Sequence, residues 1–75
     1  MSVAKIIELS SRSEQSFEHA IREGVARASS SLRNVTSAWV KEQSIDIRDG
    51  KITGFRVNLM VTFLLDGDAA DEGDR

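Results

Sequence analysis

The chain has no cysteine, no proline, one tryptophan and one histidine among its 75 residues. Without cysteine, neither a disulfide nor a thiolate metal site can stabilise it, and a reducing compartment is the simpler expectation. The single histidine, His19, lies off the apolar stripe of its segment and reads as solvated. With no second His or Cys at helical spacing it makes a poor metal ligand. No apolar run is long enough for a signal peptide or a membrane span, so the expectation is a soluble cytoplasmic protein without a membrane partner. Nor is there a nucleophile–base–acid constellation, a glycine-rich phosphate loop after a strand, or a pair of carboxylates at a readable spacing. The serines sit where caps and helix ends account for them, and the chain does not read as an enzyme.

Net charge of either sign is also small, although 29% of the residues are charged. The net charge is −2, and the last ten residues hold five of the twelve acids and one of the ten bases. The first 65 residues then carry seven acids against nine bases, too weakly basic to argue for a nucleic-acid partner. The segment 66–75, rich in Asp, Gly and Ala, reads as a disordered acidic tail behind a single domain over 1–65.

What the sequence does contain is organised around Asn34–Leu65. Asp49-Gly50 is a favoured pair for a tight turn, because glycine accepts the positive φ such turns need. After it, Phe55, Val57, Leu59, Val61 and Phe63 alternate with Arg56, Asn58, Met60, Thr62 and Leu64, a period of two that predicts a strand. Before it, Ala38 and Val40 share one parity and Ile45 and Ile47 the other, which predicts a bulge or a strong twist near Glu42-Gln43. The two runs make a long, bent hairpin with arms of up to about 14 residues, roughly 45 Å each.

Upstream, Val3–Leu9 reads as a first strand. Phe17, Ala20, Ile21, Gly24, Val25, Ala28 and Leu32 then form one apolar stripe at helical spacing. Ser13, or Ser11 with Glu14 as a capping box, starts that helix, and Arg27 and Arg33 lie toward its C-terminal end, where cations suit the dipole. The fold class is therefore α+β, in the order β-α-β-β, with a three-stranded antiparallel sheet wrapped on one helix. A helix of ~18 residues is about 27 Å long, shorter than the hairpin arms. It can cover one sheet face, at Phe55, Val57, Leu59, Val61 and Phe63, but not the overhang or the face bearing Trp39, Met60 and Leu64. Burial against sister chains is the economical solution.

In this order and at this length the chain resembles the dodecins. The likeness covers nearly all of Ala4–Leu65. It rests on Ile7-Glu8-Leu9 followed by Ser13, on the Ala-rich spacing from Phe17 to Ala28, on Ala38-x-Val40 and Asp49-Gly50-Lys51, and on Phe55-Arg56-Val57-x-Leu59-x-Val61-x-Phe63. The resemblance implies a hollow homo-dodecamer that binds a flavin such as FMN or riboflavin without catalysis. In the family the isoalloxazine stacks on a Trp near the start of the second strand and hydrogen-bonds a Gln on the third. Counted from Asp49-Gly50, those positions fall at Ser37 and Arg56. Trp39 lies two residues beyond Ser37 on the same face, about 7 Å along the strand, where it either stacks a ligand or packs a contact between subunits. Ser37 and Arg56, with Val40-Lys41-Glu42-Gln43, are more similar to a branch that lacks the flavin pair and is associated with calcium. The candidate binding residues are thus Trp39, Arg56, Ser37 and Gln43, with no metal ligand assigned. Arg56 is either an ion-pair partner between subunits, to Glu8 or Glu42, or a donor to an anionic edge of the ligand. Two functions follow: storage of a flavin-like small molecule by a homo-oligomer, or a structural or calcium-binding assembly without flavin.

Overall fold

The structure, a computed structural model, describes residues 2–65; the expected acidic tail, 66–75, lies outside the described residues. The elements are β1 (Ala4–Ser13), α1 (Phe17–Ser31), β2 (Val35–Arg48) and β3 (Lys51–Leu64). β3 is the central strand in the order β1-β3-β2, and both pairings are antiparallel. The α+β, β-α-β-β arrangement read from the sequence is the one observed.

The hairpin forms as its turn chemistry requires. Asp49 and Gly50 both have positive φ, 52° and 76°, the combination whose twist matches that of the flanking strands. Both arms are 14 residues long. The bulge is real: Val40 faces Leu59 and Glu42 faces Asn58, so Lys41 is the extra residue on β2. It brings Ala38, Val40 and Ile45 to one side of the sheet despite their opposed parity. Two further register shifts, between Val35 and Ser37 and between Asp46 and Ile47, add twist along the ribbon.

β1 and the helix start depart from expectation. β1 continues past Leu9 to Ser13, because every residue as far as the Ser13–Phe55 pair finds a partner on β3. Neither Ser13 nor the Ser11–Glu14 box caps the helix. The cap is Ser16, whose hydroxyl oxygen accepts the His19 N–H at 2.9 Å. Ser13 instead closes the corner between strand and helix. It is 5% exposed, accepts the Gln15 N–H at 2.9 Å and is hydrogen-bonded to His19 Nδ1 at 2.8 Å. His19 is accordingly half-buried and partnered rather than freely solvated. At the other end the helix stops at Ser31, so Arg33 lies beyond it and no base stands in the last turn.

Ala20, Ala28, Val57, Leu59 and Val61 form the buried core, flanked by Ile7, Leu9, Phe17, Ile21, Val25, Leu32 and Val35. This is the stripe meeting the alternating strand. Phe55 and Phe63, nearer its ends, are only half-buried; Phe55 meets Phe17 edge-on with ring centroids 5.2 Å apart and planes at 76°. Gly24 lets the helix approach closely: a Cβ there would stand 2.7 Å from Leu59 Cδ1 and 3.2 Å from Ser11 Cβ.

The helix is too short for the sheet. Its 15 residues span about 22 Å against roughly 46 Å for each hairpin arm. It packs on β1 and β3 and barely meets β2. Along β2 only Val35 and Asp46 are shielded even in part, and Ile47 is 63% exposed. The molecule measures 56 × 18 × 14 Å, an elongated form for a small domain.

Candidate functional site

Among the described residues, no element lies over the face of the sheet turned away from the helix. Register fixes what it carries, since residues directly opposite in an antiparallel pair project to the same side. Across β1, β3 and β2 the successive rows are Ile6–Thr62–Ser37, Glu8–Met60–Trp39, Ser10–Asn58–Glu42 and Arg12–Arg56–Ser44, followed by Gly54–Asp46. One end is apolar and aromatic, and the other is charged.

At the aromatic end Trp39 and Ile6 are each 49% exposed. Met60, between β1 and Trp39, is half-buried. The indole keeps half its surface in water beside an exposed isoleucine and a methionine, which makes this end a flat apolar platform.

Polar ties that cross all three strands support this platform. Glu8 accepts from Asn58 Nδ2 on β3 at 3.1 Å and meets Lys41 Nζ on β2 at 3.3 Å. The Asn58 hydrogen bond, then the nearby Lys41 ammonium, holds the Glu8 carboxyl below its ordinary value. At the charged end Asp46 Oδ2 receives Arg12 Nε at 2.7 Å and Arg56 Nη2 at 3.0 Å. The Arg12 hydrogen bond is the main cause that lowers the Asp46 pKa, and the same bond raises that of Arg12. Arg12 also donates to the Thr53 carbonyl at 3.3 Å. It reaches across β3 only because Gly54 has no side chain; a Cβ there would overlap the guanidinium.

Of the four candidate residues, Ser37, Trp39 and Arg56 share this outer face and Gln43 does not. Gln43 faces Val57 and so projects to the helix side, at the uncovered β2 edge. Ser37 and Trp39 occupy adjacent rows. Arg56 is four residues from Met60, the residue opposite Trp39, or about 13 Å along the strand. Its carboxylate partner is Asp46 of its own chain; Glu8, one of the two expected partners, pairs with Lys41 instead. Asp46, Arg12 and Asn58 were not singled out from sequence for this face. The bulge at Lys41 was the available signal, because counting parity through it places Asp46 beside Arg56. Among the described residues no group of three or more His, Cys, Asp or Glu side chains is disposed to hold a metal ion. Nor is any helix among the described residues long and apolar enough to cross a membrane.

Comparison with known proteins fits this architecture. The sequence model of the dodecin family matches residues 3–66. A crystal structure of a mutant T. thermophilus dodecin is 35% identical and superposes with a TM-score of 0.81, covering 87% of this chain and 97% of that one. Dodecin from Streptomyces davaonensis is 31% identical with a TM-score of 0.82, over 87% and 96% of the two chains. The calcium-chelating immunodominant antigen of Mycobacterium tuberculosis, a calcium dodecin with a novel calcium-binding site, is 37% identical with a TM-score of 0.75, over 85% and 91%. No curated protein sequence matches the chain. The chain belongs to the dodecin family.

Proposed function

We propose that this dodecin-family chain works as a non-catalytic binding protein, assembled as a homo-dodecamer, that holds a planar ring compound of the flavin class on its outer sheet face. The observation that carries this reading is Trp39, half exposed on a face that none of the described residues covers. A ring stacked there gains contact area and geometry together, about 1 kcal/mol beyond simple burial for a good aromatic pair. Ser37 offers a hydroxyl one row away. Arg56 stands at the charged end, where an anionic group of a longer ligand would compete with Asp46 for its guanidinium. Gln43 would meet a ligand only at the uncovered β2 edge.

Ser37 and Arg56 stand where the family resemblance puts the stacking Trp and the Gln. That supports a place in the branch without the flavin pair, and with it a second reading. The M. tuberculosis relative is described as a calcium chelator, so an ion-binding or structural assembly without flavin is the alternative.

Flavin fluorescence titration of four proteins separates the two: the parent, Trp39→Ala, Ser37→Ala, and the double variant Ser37→Trp/Arg56→Gln. The parent should quench FMN or riboflavin on binding, Trp39→Ala should bind about fivefold to a hundredfold more weakly, and Ser37→Ala should change little. Equal affinity in the parent and Trp39→Ala would remove Trp39 as the platform. Binding by the double variant alone would replace the flavin reading with the second one.

A further inference from the structure

A groove runs on the opposite side of β1, between its Leu9–Arg12 stretch and the helix. It encloses about 550 Å³ and is lined on the helix by His19, Glu23, Gly24, Ala26, Arg27 and Ser30. Positions 19, 23, 26, 27 and 30 recur at helical spacing and so share one face. Leu9, Gly24 and Ala26 give it an apolar floor, while Ser11 and Ser30 bring hydroxyl groups to its walls.

Its charges are unevenly satisfied. The Arg12 guanidinium is engaged with Asp46 on the other face of the sheet. The one carboxylate lining the groove, Glu23, lies 3.9 Å from His19 Nε2. Arg27 stands four residues after Glu23, yet among the described residues no carboxylate comes within 4.0 Å of its guanidinium. Ser30 sits one turn further along, with its hydroxyl donating to the Arg27 carbonyl at 2.9 Å, which leaves its oxygen free to accept or its bond to be exchanged. Donors therefore outnumber acceptors in the groove. Its volume exceeds that of a bare inorganic anion and falls in the range of small-molecule sites.

We propose that this groove binds a small phosphomonoester. The Arg27 fork takes the phosphate, with serine hydroxyls and the His19 ring edge completing its hydrogen bonds, and the organic group lies on the Leu9–Gly24–Ala26 floor. A guanidinium is suited to this because its planar donors match phosphate oxygens two at a time. The site is separate from the Trp39 platform and stands whether or not a flavin binds there.

The test is isothermal titration of the full-length chain with inorganic phosphate and with phenyl phosphate at fixed ionic strength. The variants are Arg27→Gln, Ser30→Asp, and Arg48→Gln as a control that removes one positive charge at the hairpin tip. Saturable binding is expected, with phenyl phosphate tighter than inorganic phosphate. Loss of the charge-assisted bonds in Arg27→Gln should weaken it about tenfold or more, Ser30→Asp should abolish it by repulsion, and Arg48→Gln should leave it unchanged. Arg27 and Ser30 are both exposed on the helix, so the variants keep the core intact, and a sizing column run on each checks assembly. No saturable binding, equal weakening by Arg27→Gln and Arg48→Gln, or an assembly that falls apart in Arg27→Gln while the parent takes up no phosphate would overturn the proposal.

Discussion

At the scale of single residues, the outer face is held by groups whose polar partners lie on other strands. Asp46 is the clearest case, because one carboxylate oxygen serves guanidinium groups from β1 and β3. Arg12 and Arg56 are directly opposite in register, so without that carboxylate two like charges would face each other across a strand pair. Asp46 and Glu8 both have folded-state pKa values lowered from ordinary values of 3.8 and 4.5. Depressed carboxylates contribute stability above their unfolded pKa and lose it as pH falls through the folded value. Thermal melts should therefore show stability declining as the solution is acidified from about pH 4.5 downward. Asp46→Asn should melt lower than the parent at pH 7, and the gap should narrow as the pH falls below the ordinary Asp value of 3.8. A gap that is constant with pH would show that the carboxylate charge is not what ties the strands. The side of the sheet that Asp46 takes is not directly legible in the sequence. Its side is decided by one extra residue at Lys41, and a bulge reveals itself only as a parity conflict, not as a direction for any one side chain.

At the scale of elements, two glycines have different duties and make opposite demands on substitution. Gly50 has φ of +76° with nothing within 4 Å of where a Cβ would sit. Gly50→Ala should therefore cost only the left-handed backbone penalty, about 1–2 kcal/mol. Gly24 is helical and its Cβ would press on Leu59. Helix propensity alone favours Ala there by about 1 kcal/mol, whereas overpacking a core costs about 1–3 kcal/mol, so the net effect of Gly24→Ala should be destabilising. Urea denaturation decides it: a higher midpoint for Gly24→Ala would mean that the helix shifts freely on the sheet. The hairpin was legible in the sequence because turn, period and length agree in Phe55–Phe63 and at Asp49-Gly50. The helix start was not. Ser10, Ser11, Ser13 and Ser16 are all chemically able to cap, and strand pairing as far as Ser13–Phe55 is what selects Ser16. Long-range pairing of that kind has no local signature.

At the scale of the molecule, the chain leaves exposed what a domain usually hides. Val40, Ile45, Ile47 and Ile52 stand open along the hairpin, and Trp39 and Ile6 on the outer face. β2, with a long free edge and little shelter on either side, is a template for pairing unless something covers it. The helix reaches less than half the length of a hairpin arm, so the described residues leave much of the sheet uncovered, and copies of the same chain are the simplest source of cover. The sequence already implied this through the mismatch between helix and hairpin lengths. Which surfaces meet was not legible, because Trp39 has the same apolar, hydrogen-bond-capable character whether it packs a subunit or a ligand.

Assembly is tested most directly by the molar mass of the folded protein, from light scattering at micromolar concentration with circular dichroism recorded on the same sample. The expected species is many times heavier than the 8.3 kDa chain and unchanged on tenfold dilution. A folded monomer of stable secondary structure at that concentration would contradict it.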